Sequence, residues 1–531
     1  MTTPEEVGAA SLARKILSDV FGYDDFRSSQ AAVVAALMAG RNVLAVMPTG
    51  SGKSICYQVP ALARGGLAIV VSPLVALMED QVAALRKRDV AAETINSSRS
   101  REANVDAWRR VAAGETRLLY LSPERLMTDR MLDALAKLPV SLIAVDEAHC
   151  ISQWGPAFRP EYAGLARLRD LFPHIPIAAF TATADEVTRT DVASKLLGGN
   201  AVTHVAGFDR PNIKLSVMPR DNATKQLTGF LSAHKGESGI VYCLSRKKAD
   251  ETARALVDKG LHALPYHAGM TAEARAANQR EFQSASGVIM VATIAFGMGI
   301  DKADVRFVFH TDIPGSVEAY YQEIGRAGRD GLPAEACMLY GLDDIRMRRR
   351  FIDAEESDTD RKRREHQRLN SLIGYCESPD CRRRPLLAYF GETTEPCGNC
   401  DLCLNPVELI DGTEEAITAL TAVVMTGQRF GVGHVVDVIC GVDNEKIGRF
   451  GHDRLSVFGM GRSHSAAQWK SIIRQLIAKA YLEIDIGGYG GISMTQSGHL
   501  LLKGRETFHY RADSGPAPKR PKASKPRRRT W

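Results

Sequence analysis

Short, continuously apolar segments alternate with helical stretches up to about Gly341, and this pattern restricts the fold more than any other feature of the chain. Candidate strands fall at residues 42–47, 67–72, 117–121, 141–145 and 177–180. A second series falls at 239–242, 263–266, 288–292, 305–310 and 336–340. A strand that is apolar on both faces has to be covered on both, as in parallel sheets flanked by helices. Two series therefore predict two α/β lobes. The break is expected near Phe208 to Pro211, because Pro211 restricts the residue before it.

Three segments carry phosphate chemistry. Met47, Pro48, Thr49, Gly50, Ser51, Gly52, Lys53 and Ser54 lie between an expected strand and an expected helix. Gly50 and Gly52 let backbone N–H groups converge on phosphate oxygens, Lys53 neutralises terminal phosphate charge, and Ser54 offers an oxygen to Mg²⁺. A strand ending at Val145 delivers Asp146 and Glu147. Asp146 is suited to holding Mg²⁺ and Glu147 to deprotonating an attacking water. In the second series, Arg326 and Arg329 stand three residues apart, so on a helix they would share a face. Arginine stabilises charge on a transferring phosphoryl group, and from a second lobe it would tie hydrolysis to lobe closure.

Ten cysteines are present. Cys56, Cys150, Cys243, Cys337 and Cys440 are scattered and read as buried thiols. Cys381, Cys397, Cys400 and Cys403 have the spacing C-x15-C-x2-C-x2-C, which suits a closed, structural Zn²⁺ site. Arg382, Arg383 and Arg384 adjoin it and read either as phosphate contacts or as a solvated charge cluster.

Net charge is +6, but residues 516–531 hold seven basic side chains and no acid, so the rest of the chain is near neutral. Bulk charge therefore argues for no partner, and nucleic-acid binding has to rest on local sites. The tail is too polar to fold. No apolar run approaches a membrane span, and no signal-like segment opens the chain; a soluble, cytoplasmic protein is expected.

Residues 465–480 read as an amphipathic helix with Trp469, Ile472, Ile473, Leu476 and Ile477 on one face and Ser465 with Gln468 as a capping box. Lys470, Arg474 and Lys479 lie off that stripe and are candidate duplex contacts or a solvated face. A hairpin should follow, with Tyr489 at its glycine-flanked tip. Helices followed by a hairpin suggest a winged helix. Trp154, Phe158 and Arg159 sit on a Gly/Pro-rich stretch directly after Glu147's segment. Aromatic residues there could stack on bases, or pack between the lobes.

These motifs together resemble superfamily 2 helicases. The closer resemblance is to the RecQ family, through Phe21 to Gln30, Asp146 to His149, Phe180 to Ala184, Ala295 to Asp301, Gln322 to Arg329 and Phe450 to Leu455. The resemblance covers nearly the whole chain except the tail. It implies two RecA-like parallel-sheet lobes (1–208 and 209–341), a helical zinc-binding subdomain (342–407) and a winged-helix domain (408–510), with 511–531 a disordered basic tail. It also implies that Tyr23 stacks on adenine while Arg27 and Gln30 hydrogen-bond it. The expected activity is ATP-dependent, 3′-to-5′ unwinding of DNA in recombination, fork rescue and repair. ATP, Mg²⁺ and Zn²⁺ are the implied cofactors. DNA at single-strand/duplex junctions is the implied partner, with a single-strand-binding protein as another, for a monomer associated with the nucleoid.

Pro156 stands where that family usually has histidine. It removes a side-chain donor and stiffens the loop, so looser coupling of ATP to DNA is expected. A translocase with weak unwinding is the competing reading. A zinc-containing DNA-binding scaffold is opposed by the intact Lys53, Asp146, Glu147 and Arg329.

Overall fold

The computed structural model describes residues 4–48, 50–152, 159–297, 302–355, 359–484 and 491–511. The chain divides into two compact units, Met1–Asp344 with Ala354–Leu404, and Ile345–Asp353 with Asn405–Trp531.

The first unit holds two parallel sheets. β1 (Val43–Val46), β2 (Leu67–Val71), β3 (Ala92–Ile95), β4 (Leu118–Leu121), β5 (Val140–Val145), β6 (Ile177–Thr181) and β7 (Val202–Val205) form the first, in the order β3-β4-β2-β5-β6-β1-β7. β8 (Ile213–Pro219), β9 (Ser238–Tyr242), β10 (Ala263–Tyr266), β11 (Ile289–Ala292), β12 (Val305–His310) and β13 (Ala334–Tyr340) form the second, in the order β10-β11-β9-β12-β13-β8. Central strands such as β1, β2 and β6 are buried along their whole length, which is why they read as unbroken apolar runs.

Three strands escape the sequence reading, and all three lie at sheet edges. β7 alternates between half-buried and exposed positions, and β8 carries Lys214 and Ser216 between buried residues. β3 is buried but contains Glu93, whose carboxylate is held by Arg86 at 2.6 Å and Arg110 at 2.7 Å. Edge strands need less apolar cover, and a buried, paired carboxylate breaks an apolar run.

The cysteine region follows on the helix Thr359–Glu377 and is fastened to the second sheet. Leu215 of β8 forms a parallel bridge with Cys400, and Val217 N donates to Asp401 Oδ2 at 3.1 Å. Here the reading of the arginine cluster needs correction. Arg382 is fully buried, with Nε 2.9 Å from Asp401 Oδ1 and Nη1 donating to the Tyr375 and Cys376 carbonyls. Arg383 is also buried, paired with Asp209 at 2.7 Å and donating to the Ile213 carbonyl. Neither is a phosphate contact or a solvated charge. Arg382 ties the cysteine region together internally, and Arg383 stitches it to the start of the second lobe. Arg384 pairs with Asp380 at 2.9 Å.

The second unit contains the helices Thr413–Met425, Val432–Cys440, Glu445–Phe450, Ala466–Ala478 and Gln496–Leu502. Two antiparallel strand pairs join them, β14 (Leu409–Asp411) with β17 (His509–Arg511) and β15 (Leu482–Ile484) with β16 (Ile492–Met494). Ser465 caps the helix Ala466–Ala478 in a reciprocal box with Gln468, and the expected apolar face is buried. Trp469 anchors it, donating from its indole to the Gly461 carbonyl at 2.7 Å. Truncating such a ring costs about 3–5 kcal/mol. Arg474 departs from its expected place on an outer face: it is buried, and its guanidinium donates to Ser471 Oγ at 3.2 Å. Residues 485–490 of the hairpin, with Tyr489, and the tail from 512 lie outside the described residues.

Candidate active site

In an open parallel sheet, ligands gather beyond the carboxyl ends of the strands. β1 and β5 both end there in the first lobe, separated by β6. From β1 the chain turns through Gly50 (φ +83°) and Gly52 (φ +79°) into the helix Lys53–Arg64. Both glycines are required by their backbone conformation, and Gly52 by space as well. Their φ values disfavour side chains, and a Cβ on Gly52 would collide with Gln30 Nε2. Arg329 Cγ lies 3.4 Å from where a Cβ on Gly50 would sit, so an arginine of the second lobe packs directly on the loop of the first.

The residues 27–30 hold this loop from the other side. Arg27 Nη1 donates to the Gly50 carbonyl at 3.1 Å, and Gln30 Nε2 donates to the Ser51 carbonyl at 2.9 Å. Gln30 Oε1 accepts from Arg27 N at 2.9 Å. Tyr23 is half exposed at the same cavity. The cavity measures about 330 Å³, and its lining includes Tyr23, Arg27, Gln30, Gly50, Gly52, Lys53, Ser54, Asp146, Glu147, Gln322, Arg326 and Arg329. The structure thus brings together every described residue expected at the nucleotide site except Ser51, whose carbonyl is held by Gln30. Thr49 lies outside the described residues.

Burial dominates the electrostatics. It pushes Asp146 up to about 7, with the Glu147 charge adding to the effect, and it raises Glu147 against the opposing pull of Lys53 and Arg326. Burial lowers Lys53, while Glu147 and Asp146 counter it. Two neighbouring carboxylates driven toward protonation are suited to a divalent cation, which would restore both to the charged form. Lys53 Nζ rests on the Met47 carbonyl at 3.1 Å. The Nε of Arg326 and Oε2 of Glu147 are buried without a hydrogen-bond partner among the described residues. An anionic ligand in the cavity would satisfy the Arg326 donor, and a bound cation the Glu147 acceptor.

Glu147 has φ +50°, a strained value for a side-chain-bearing residue, and such strain is concentrated at functional sites. Its Oε2 lies 3.3 Å from His149 Nδ1. His149 Nδ1 is 2.8 Å from Thr181 Oγ1, and that hydroxyl donates to the Thr183 carbonyl at 2.9 Å. Burial lowers the imidazole to about 4, leaving it neutral at pH 7. Gln322 of the second lobe then donates to Thr183 Oγ1 at 2.9 Å. The sequence reading assigned no role to Thr181, Thr183 or Gln322; the only signal was their place in family motifs.

Arg326 and Arg329 reach the cavity by a different route from the expected one. The helix Val317–Ile324 ends before them, at Gly325, and Gly328 adopts φ +58°. Past Ile324 the chain runs in turns, with Gly328 in the left-handed region, so the two arginines meet in the cavity from a turn and not from one helical face.

The expected DNA contacts are only partly described. Trp154, Phe158 and Pro156 lie outside the described residues, as does Tyr489. The ends of the 153–158 segment are anchored: Ser152 Oγ donates to Asp191 Oδ2 at 2.8 Å, and Arg159 N donates to the Cys150 carbonyl at 3.0 Å. Arg159 is half-buried, its guanidinium 3.5 Å from the Pro73 carbonyl.

At the cysteines, the four sulfurs of Cys381, Cys397, Cys400 and Cys403 all lie within 4.8 Å of one another. Backbone N–H groups point at them: Arg382 N and Cys403 N at Cys400 Sγ (3.4 and 3.3 Å), Cys397 N at Cys381 Sγ (3.3 Å) and Asn399 N at Cys397 Sγ (3.4 Å). Such donors stabilise thiolates, and four thiolates fit tetrahedral zinc with no position left for catalysis. Cys376 is buried elsewhere and is not part of the cluster.

Four family models match the chain: "DEAD/DEAH box helicase" over residues 27–190, "Helicase conserved C-terminal domain" over 222–331, "RecQ zinc-binding" over 342–404 and "RQC domain" over 406–519. The ATP-dependent DNA helicase RecQ of Haemophilus influenzae is 43% identical over 93% of this chain and 80% of its own length. The chain belongs to the RecQ family of ATP-dependent DNA helicases. The RecQ protein of Bacillus subtilis is 37% identical, covering 93% of this chain and 84% of its own. Among solved structures, the Mycobacterium smegmatis helicase Lhr bound to ssDNA and AMP-PNP has a TM-score of 0.52 at 18% identity, over 93% of this chain and 61% of that one. The helicase MrfA bound to DNA has a TM-score of 0.53 at 19% identity, over 66% of this chain and 53% of that one. At such identities these two speak for the fold alone. Among the described residues of this RecQ-family chain, no helix is long and apolar enough to cross a membrane.

Proposed function

We propose that this chain hydrolyses ATP between its two lobes and uses the resulting closure and opening to travel 3′-to-5′ along a DNA single strand, separating the duplex ahead. One observation supports this most: Arg326 and Arg329 of the second lobe line the same cavity as Lys53, Asp146 and Glu147 of the first. In this reading Tyr23 stacks on adenine, with Arg27 and Gln30 at its edge. The backbone from Thr49 to Ser54 cradles the phosphates, and Lys53 offsets their charge. Ser54 and Asp146 would hold Mg²⁺, which supplies charge neutralisation when bound. Glu147 takes a proton from the attacking water, and the two arginines stabilise the transferring group. Trp154, Phe158 and Arg159 meet the single strand, and Tyr489 presses on the terminal base pair.

The same reading assigns the lobes to 1–208 and 209–341, the zinc-binding part to 342–407, the winged helix to 408–510 and a basic tail to 511–531. It has the chain acting as a monomer on nucleoid DNA beside a single-strand-binding protein, in recombination, fork rescue and repair. Strand displacement on duplexes with a 3′ or a 5′ tail, alongside ATP turnover with no nucleic acid, DNA or RNA, tests it. The expected result is displacement of the 3′-tailed duplex only and turnover raised by DNA. Turnover raised by DNA without displacement would favour the translocase reading. No DNA stimulation at all would overturn both.

A further inference from the structure

A second contact joins the lobes one helical turn before Gln322. Glu318 precedes Gln322 by four residues on the helix Val317–Ile324, so the two share a face. In the first lobe, Asp185 follows Thr183 by two residues and caps the helix Glu186–Lys195, accepting from Thr188 N at 2.8 Å. Glu318, Gln322, Thr183 and Asp185 line one cavity of about 160 Å³, with His149 at its wall. Gln322 meets Thr183 there through a neutral hydrogen bond of 2.9 Å. Glu318 and Asp185 are both acids, and their like charges oppose the approach of the lobes.

A third segment supplies the opposite charge. Arg368, on the helix Thr359–Glu377 of the zinc-binding part, is buried with Nε 3.3 Å from Glu318 Oε1 and Nη2 3.8 Å from Asp185 Oδ2. Glu365 Oε1 accepts from Nη1 at 2.8 Å and fixes the guanidinium from its own helix. Tyr389, also of the zinc-binding part, donates to Glu318 Oε1 at 2.6 Å. Glu318 is itself buried, and its Oε2 makes no hydrogen bond among the described residues. Its charge therefore depends on Arg368 and Tyr389. A planar guanidinium can meet two carboxylates from different edges at once, as the Nε and Nη2 contacts show here.

We propose that Arg368 is a positioning residue for hydrolysis: it screens Glu318 from Asp185 as the lobes close, and so lets Gln322, Arg326 and Arg329 reach their places. It touches no reacting atom. The proposal rests on the reading that hydrolysis requires the lobes to close, and it gives the zinc-binding part a role in that step.

Steady-state ATP turnover by the full, zinc-loaded chain at saturating single-stranded DNA tests it through a double-variant cycle. Asp185→Asn keeps the helix cap, because asparagine accepts from Thr188 N as aspartate does, and removes only the charge. With Arg368 present it should lower kcat about twofold to fivefold, the range of a partly exposed ion pair. KM for ATP should stay within about twofold of wild type, since the lost contact belongs to closure and not to nucleotide binding. Arg368→Gln should lower kcat about tenfold, because it leaves the buried Glu318 uncompensated. Adding Asp185→Asn to Arg368→Gln should then raise kcat, reversing the sign of its effect, because it now removes repulsion alone. A role confined to folding would give no such reversal. Melting temperature and zinc content equal to wild type would show that the variants fold; where Arg368→Gln does not fold, Asp185→Asn alone decides. Wild-type kcat in Asp185→Asn, a loss confined to KM, or a further fall of kcat in the double variant would overturn the proposal. Wild-type turnover that DNA does not raise would instead overturn the helicase reading.

Discussion

Gln322 Nε2 donates to Thr183 Oγ1 across 2.9 Å, joining the helix that leads to Arg326 and Arg329 to the strand end that holds His149 beside Glu147. One amide thus connects the arginine side of the site to the water-activating side. Removing it should loosen this coupling without touching the phosphate loop. Gln322→Ala is expected to lower DNA-stimulated ATP turnover about threefold to tenfold, the usual worth of one hydrogen bond. Thr183→Val should do the same, and the double variant should cost little more than either alone. Fully additive losses in phosphate release would show that the two residues act separately.

Lys53 is half-buried beside Asp146, Glu147 and Arg329, and desolvation lowers its pKa while the two acids oppose that shift. Lys53→Ala should cut turnover by about a hundredfold or more, in line with the loss of one preorganised charge-stabilising donor. Steady-state phosphate release measures this, with nucleotide affinity determined separately to divide binding from chemistry.

Much of the fold is legible in the chain because its central strands have no polar interruption. The edge strands β3, β7 and β8 are not, since Glu93, His204 and Lys214 break the pattern that burial would otherwise impose. Residues contiguous in sequence, such as Gly50 to Ser54 or Asp146 and Glu147, announce the nucleotide site. Contacts between distant segments do not. Arg382 looks like a surface charge until Asp401 is brought beside it, and nothing local to Thr183 points to Gln322. The spacing of Arg326 and Arg329 suggested a shared helical face; the helix ends at Ile324 and a turn takes its place, yet both side chains still reach the cavity.

The zinc cluster and its spare neighbour make a paired test. Cys400 accepts backbone N–H bonds from Arg382 and Cys403 and bridges to Leu215 of β8. Cys400→Ser should therefore lose the metal and lower the melting temperature, because metal binding is coupled to folding at such sites. Cys376→Ser should retain one zinc per chain. Metal analysis beside a thermal melt reads both, and equal zinc content in the two variants would contradict the ligand assignment.

Arg382 should behave as a structural residue and not as a DNA contact. Its guanidinium is buried against Asp401, and deleting one partner of a buried pair costs about 3–5 kcal/mol. Arg382→Ala is expected to shift denaturant unfolding by that amount. The salt dependence of DNA binding, measured where the variant remains folded, should match wild type. A flatter salt slope would return Arg382 to the phosphate contacts.

The most direct test of the whole account concerns Arg329, whose side chain packs on Gly50 across the lobes. In single-turnover phosphate release with saturating ATP and single-stranded DNA, Arg329→Ala should hydrolyse ATP about a thousandfold or more slowly than wild type, the scale of an arginine acting on phosphoryl transfer. Its affinity for ATP should stay within a few-fold of wild type. Hydrolysis close to the wild-type rate at saturating ATP would contradict a site completed by the second lobe.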